Sequence, residues 1–238
     1  MKSFGLLLAA LLILSGQTSQ TASGGAATKR HLVYQFGYNT AVATSGNGTG
    51  TTTIDISGPA GDGGLLVSAS DHWWNTVRAR ATNTCELYRS GSVKCTQAPN
   101  AISPIQLTIF PVLAHSYFTG LNASATSSWT HRFTLYAAII PGASGFAGQP
   151  TSWDCSFTLH GKGPIKNAGP YVLITGSGSL DQQGGTYLKA KSKIRIAYDP
   201  AARVPGIIRE ERTHIPYRSV YSNDVVEVKL TQDSGRHH

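Results

Sequence analysis

The residues best suited to chemistry in this chain are its three cysteines and eight histidines. Two cysteines, Cys85 and Cys95, flank a Ser-Gly turn in the stretch CELYRSGSVKC. If Arg89-Ser90-Gly91 forms a three-residue hairpin loop, Glu86 faces Lys94 and Cys85 faces Cys95 across the ribbon. Opposed residues of such a ribbon lie at a Cα separation that a disulfide tolerates. The spacing therefore predicts a Cys85–Cys95 disulfide, with two buried, reduced thiols as the alternative.

The remaining sulfur and imidazole groups do not have the spacing of a metal site. Zinc usually takes four ligands, and no second pair of cysteines or histidines has ligand spacing. Cys155 is expected to be a buried free thiol on one apolar strand face with Trp153 and Phe157. His131 also lies on an apolar strand face, where a core histidine is the simpler interpretation than a base or ligand without partners. We therefore predict no metal.

Catalytic motifs are missing as well. No serine lies in a Gly-x-Ser-x-Gly turn, and the glycine clusters lack the strand and helix that phosphate-binding loops require. Among the twelve acidic residues, no pair has the aromatic and polar flanks that would mark a glycosidase. If the stretch from Arg209 to Arg212 is a strand, Arg209 neighbours Glu211 on one face and Glu210 neighbours Arg212 on the other, so the charges on each face neutralise each other. The sequence predicts no catalytic residue and no cofactor.

A basic row is the clearest feature outside the apolar pattern. In TYLKAKSKIRIAY, four cationic residues alternate with uncharged ones, so one face of a strand is cationic: Lys189, Lys191, Lys193 and Arg195. The functional interpretation is a docking surface for anionic lipid head groups or polysaccharide. A solvated sheet face, or an edge strand protected by lysines, would produce the same pattern. No stacking aromatics alternate with these residues, so nucleic acid is not an expected partner.

The first residues predict export. Lys2, an apolar run over 6–14 and then small polar residues form the pattern of a secretory signal peptide. We assign the signal peptide to 1–23, with cleavage between residues 16 and 27 and no lipid anchor. A flexible leader at 24–30, one β-rich domain at 31–233 and a disordered tail at 234–238 complete the domain prediction. The mature chain is expected in the periplasm or outside the cell, where disulfides persist.

Alternation with a period of two dominates the rest of the chain. Short connectors containing Gly or Pro favour antiparallel pairing, because parallel crossovers need a dozen or more residues. One segment differs: Ser103 can cap a helix that starts at Pro104, contains Pro111 and stops at Gly120. The sequence thus predicts a mainly β fold, a single curved antiparallel sheet or open barrel of about 10–12 strands, with one short and Pro-kinked helical insertion at about 103–119.

A signal peptide followed by alternating strands and one apolar helical insertion resembles the periplasmic lipoprotein carriers. In those proteins a curved antiparallel sheet and covering helices enclose an apolar cavity. The resemblance implies an exported, non-catalytic protein that holds a hydrophobic or amphiphilic small molecule between sheet and helix. Two alternatives remain open: a structural or adhesive envelope protein that acts through its sheet surfaces, and a hydrolase without a recognisable motif.

What covers the helical insertion distinguishes a carrier from a structural protein. Its apolar side chains spread around the axis, so something must cover its second side. In a carrier that cover is a ligand, and the expected lining residues are Ile109, Phe110, Leu113, Tyr117 and Phe118. In a scaffold the cover is protein. A Phe110→Ala variant of a carrier is expected to lose little stability and to bind a hydrophobic dye differently.

Overall fold

The computed structural model describes residues 29–41, 47–58, 64–74, 82–88, 93–95, 103–119, 128–136, 150–162, 171–182, 189–217 and 220–235. They form β1 (Arg30–Thr40), β2 (Gly48–Ser57), β3 (Leu65–Trp73), β4 (Thr82–Leu87), β5 (Val93–Cys95), α1 (Pro104–Thr119), β6 (Ser128–Tyr136), β7 (Pro150–Lys162), β8 (Val172–Gln182), β9 (Lys189–Asp199), β10 (Val204–Tyr217) and β11 (Val220–Asp233). The predicted fold class, a mainly β protein with one helical insertion, is confirmed. The predicted signal peptide, most of the leader and the hairpin loop at 89–92 lie outside the described residues.

The strands form one antiparallel sheet in the order β5-β4-β3-β2-β1-β11-β10-β9-β8-β7-β6. Most strands pair with their neighbours in sequence, and the first strand, β1, pairs with the last, β11. The edge strands β5 and β6 approach each other to within 8 Å between Cα atoms, although no ladder joins them in the described part of the chain. The sheet therefore curls until its edges nearly meet, and it stays open.

Helix α1 lies inside this curled sheet. It contacts β10 and β11 at the middle of the strand order and also β5 and β6 at the two edges. A single helix can contact both regions only from the concave side. All residues from 103 to 114 are buried, which explains why the helix carries no charged residue and has apolar residues around its whole axis.

The helix begins as the sequence predicts. The Ser103 hydroxyl accepts a hydrogen bond from the backbone N–H of Gln106 at 3.1 Å, so it caps the first turn, and Pro104 occupies the first helical position. Pro111 lies inside the helix, which continues through it as one element to Thr119.

The concave face of the sheet carries the core. Along β1 the inward residues alternate with outward ones, and Leu32, Tyr34, Phe36 and Tyr38 are all buried. Gly50 on β2 makes room for this aromatic cluster, because a Cβ there would lie 2.6 Å from the Phe36 ring and 2.1 Å from a backbone oxygen. The freed space admits Trp73, whose ring packs 4.7 Å from that of Phe36, measured between centroids.

The cysteine hairpin has the predicted register. Cys85 lies opposite Cys95, Glu86 opposite Lys94 and Leu87 opposite Val93. Cys85 itself is fully buried.

Candidate functional site

The predicted ligand-lining residues lie on α1, on the concave side of the curled sheet. Ile109, Phe110 and Leu113 have 0% of their surface exposed. A cavity that admits even a water molecule would leave accessible area on its lining, so these three side chains are in contact with protein. Tyr117 is half-buried, with the Arg30 guanidinium 5.9 Å from its ring centre. The side chain of Phe118 lies outside the described part.

A buried ion pair fixes the helix to β10. Glu210 and Arg212 are 2.7 Å apart and almost wholly inaccessible. Thr108 on α1 donates a hydrogen bond to the Glu210 carboxylate at 2.6 Å, and Ser192 on β9 donates another at 2.6 Å. Arg212 also donates to the carbonyl of Pro104 at 3.0 Å and to the hydroxyl of Thr108. These bonds satisfy two charges in the interior, where a lone charge would be costly.

A second polar cluster anchors the start of the helix to β3 and β4. Gln106 donates a hydrogen bond to Asp71 at 3.3 Å and accepts one from Asn83 at 2.6 Å. Burial raises the pKa of Asp71, while the neighbouring Ser103 and Thr52 hydroxyls and the Gln106 amide act in the opposite direction. Within the described residues, the second carboxylate oxygen of Asp71 has no hydrogen-bond partner.

The prediction of two self-neutralising faces in the stretch Arg209 to Arg212 is confirmed. On the outer face Arg209 lies 3.2 Å from Glu211, and on the inner face Glu210 pairs with Arg212. Sequence reasoning missed that the inner pair is buried against α1. The signal was available, because Glu210 and Arg212 follow Ile208 on the inward face of the same strand.

The basic row lies on the outer, convex face of β9. Lys191, Lys193 and Arg195 are exposed, whereas Ser192, Ile194 and Ile196, which alternate with them, are buried. Lys189 begins the strand, and its side chain is outside the description. The interpretation of this row as edge protection is wrong, because β9 pairs with β8 on one side and β10 on the other.

The strands beside β9 set the chemistry around the row. On β8, Thr175 lies opposite Arg195 and Ser177 opposite Lys193, so hydroxyl groups accompany the cations. On β10, Glu211 lies opposite Lys193, but its carboxylate and that of Glu227 accept hydrogen bonds from Arg209 at 3.1 to 3.4 Å. No described acidic side chain pairs with Lys191, Lys193 or Arg195.

In the described ranges, no three His, Cys, Asp or Glu side chains cluster in a way that could hold a metal ion. No helix of that part of the chain has the length and apolar character needed to cross a membrane. The sequence matches no protein-family model and no curated protein.

Proposed function

We propose that this protein is an exported envelope protein that binds an anionic polysaccharide through the convex face of its sheet. The observation that supports it most is the basic row, three exposed cations on alternate residues of β9 without a described acidic partner. Because side chains two residues apart on a strand are roughly 6.6 Å apart, the row offers evenly spaced charges to an extended polymer. The hydroxyls of Thr175 and Ser177 add uncharged donors beside the charges.

The burial of the described helix residues against protein favours this surface function over the carrier. In a carrier the side chains that face the helix should line a space of roughly 300 to 1,000 Å³. Ile109, Phe110 and Leu113, which were expected to line that space, have no accessible surface. Among the described residues, the convex face therefore offers a better site for a partner than the surroundings of the helix.

Polygalacturonate, an acidic polysaccharide, tests the proposal, with uncharged dextran as the reference polymer. We expect the triple variant Lys191→Gln/Lys193→Gln/Arg195→Gln to bind polygalacturonate at least about tenfold more weakly than the unchanged protein at low salt. Added salt should weaken the unchanged protein more than the variant, because screening acts on the charges that were removed.

A matched pair of single variants isolates the row from overall charge. Lys193→Gln removes one charge inside the row, and Lys29→Gln removes one exposed charge outside it. Equal losses from both would show that net charge alone attracts the polymer. Unchanged binding by the triple variant would reject the proposal.

The carrier remains a second proposal, favoured by one observation. Helix α1 carries apolar residues on every side and contains Pro111, which removes a backbone donor in its middle. A lid of this kind could admit a hydrophobic ligand by moving rather than by enclosing a permanent cavity. Native mass spectrometry of protein purified from its own host tests this, because a carrier should retain an amphiphile.

The disulfide belongs to the same proposal, since an exported protein is exposed to oxidising surroundings. We expect peptide mapping without reduction to link Cys85 to Cys95, the residues that the β4–β5 ladder places opposite each other. The bond should add about 2 to 3 kcal/mol, because it closes a short loop. A link from Cys155 to either partner would contradict this assignment.

A further inference from the structure

A line of cross-strand neighbours crosses the convex face next to the basic row. Starting from Arg195 on β9, it continues to Arg209, then Glu227, then Gly37 and then Thr49, each opposite the next in the ladders. We call these five residues the cross-sheet line. Successive members are about 4.8 Å apart, the usual distance between strands.

Gly37 is the member of this line that the fold does not explain. Its φ is not in the left-handed region, and the register of β1 continues through it without a bulge on both sides. A Cβ added at Gly37 would meet no atom within 4 Å, in contrast to Gly50. Glycine weakens the middle of a strand, and in strands it often marks a place where a ligand approaches the backbone closely.

The space over Gly37 is an open depression of about 330 Å³. Its rim contains the amides, hydroxyl and charges that recognise a polyhydroxylated ligand: Gln35, Asn39, Thr49, Arg209, Glu227 and Lys229. Arg209 and Glu227 are held together at 3.1 Å, so they present fixed donors and acceptors. Lys229 has no described acidic partner and can take a carboxylate.

An exposed aromatic ring stands beside this depression. Trp74 is 49% exposed, whereas Trp73 before it is buried, so Trp74 lies on the convex face. Its backbone N–H donates a hydrogen bond to the carbonyl of Thr49 at 2.9 Å, which places Trp74 next to the end of the cross-sheet line. An exposed tryptophan offers a flat apolar surface on which the CH face of a sugar ring can pack.

We infer that the depression over Gly37 binds one residue of an acidic oligosaccharide, with the next sugar but one stacked on Trp74. The distance between Gly37 and Trp74, two strands or about 10 Å, spans two sugar repeats, so one sugar lies between the two that are bound. Lys229 takes the carboxylate of the uronic acid, and the amides of Gln35 and Asn39 bind its hydroxyls. This inference rests on the proposed polysaccharide function and adds to it a site that recognises the carboxylate, the hydroxyls and the ring face of single sugars.

Substitution of Gly37 separates binding from structure. Gly37→Val fills the depression with a side chain that favours strands, so we expect unchanged or higher stability and at least about tenfold weaker binding of trigalacturonic acid. Gly50→Ala is the matched control for a structural glycine, and its Cβ clash with a backbone oxygen should lower stability. Loss of stability in Gly37→Val would show that this glycine serves the curvature of the sheet, and unchanged binding would reject the site.

The trimethyl ester of trigalacturonic acid distinguishes this site from the basic row. The ester keeps the sugar rings and loses the charges, so the row should not hold it, whereas the Gly37 site should bind it weakly and quench Trp74 fluorescence. Trp74→Ala should weaken the binding of both the acid and the ester about fivefold to tenfold.

If the basic-row variants lose polygalacturonate while Gly37→Val and Trp74→Ala bind normally, the proposed function stands and this site is rejected. If the Gly37 and Trp74 variants lose the ester while the basic-row variants bind normally, the site stands and the row is rejected.

Discussion

Asp71 is a wholly buried carboxyl group at the anchor of the helix, and its ionisation should affect the stability of the fold. Burial raises its pKa above the ordinary value, so between the unfolded pKa of about 3.9 and its folded pKa the native state binds more protons than the unfolded state. The free energy of unfolding should therefore decrease as the pH rises through this window, and level off above it.

Asp71→Asn removes this ionisation while it keeps an acceptor for Gln106. We expect the variant to be more stable than the unchanged protein at neutral pH, with the difference shrinking as the pH falls towards 4. Urea denaturation followed by tryptophan fluorescence at several pH values measures it. A difference that does not change with pH would mean that the pKa of Asp71 is the same in the folded and the unfolded protein, and would contradict the raised pKa.

Phe110 tests whether the helix is core or lid. Its side chain is among the largest that are fully buried, so removal of the ring should leave a cavity and cost about 3 to 5 kcal/mol. Thermal and urea denaturation of Phe110→Ala measure this cost, and a hydrophobic dye reports on any cavity. A small loss together with a change in dye binding would instead favour the carrier.

The helix and the cysteine hairpin could be predicted because their signals are local. Ser103, Pro104 and the apolar spacing define the start and length of α1. The spacing of the two cysteines predicted the β4–β5 register, in which Cys85 lies opposite Cys95. Charge alternation likewise gave the exposed faces of β9. Each of these features depends on residues within about one element of each other.

The cross-sheet line could not be predicted because it depends on pairing between distant strands. Gly37 lies opposite Glu227 only because β1 pairs with β11, and periodicity carries no information on which strands pair. The same applies to Asp71, Asn83 and Gln106, which come together from β3, β4 and α1. Gly37 inside a strand and Trp74 beside a buried tryptophan were the available hints.

An ion pair joins β1 to β11, the ladder that brings the two ends of the described chain together; we call this ladder the seam of the sheet. Arg30 donates two hydrogen bonds to the Asp233 carboxylate at 2.8 and 2.6 Å, and both side chains are largely buried. Asp233→Ala should cost about 1.5 to 3 kcal/mol, because it removes charge-assisted bonds and leaves the largely buried guanidinium of Arg30 without this partner.

Urea denaturation measures this cost against a nearby control. Asp55 pairs with His31 at 2.6 Å, but these side chains are 64% and 45% exposed, so Asp55→Ala should cost less than about 1 kcal/mol. Equal losses in the two variants would contradict a special role for the seam.

The pairing of β1 with β11 also sets a time order for biosynthesis. About 180 residues separate the end of β1 from the start of β11. Because ribosomes add roughly 5 to 20 residues per second, β11 is synthesised roughly 10 to 40 seconds after β1, and the β1–β11 ladder cannot form before then. During that interval the nascent chain lacks the partner for one edge of β1. For the export proposed above, a pore that accepts only unfolded chains would have roughly 10 to 40 seconds in which to engage this chain.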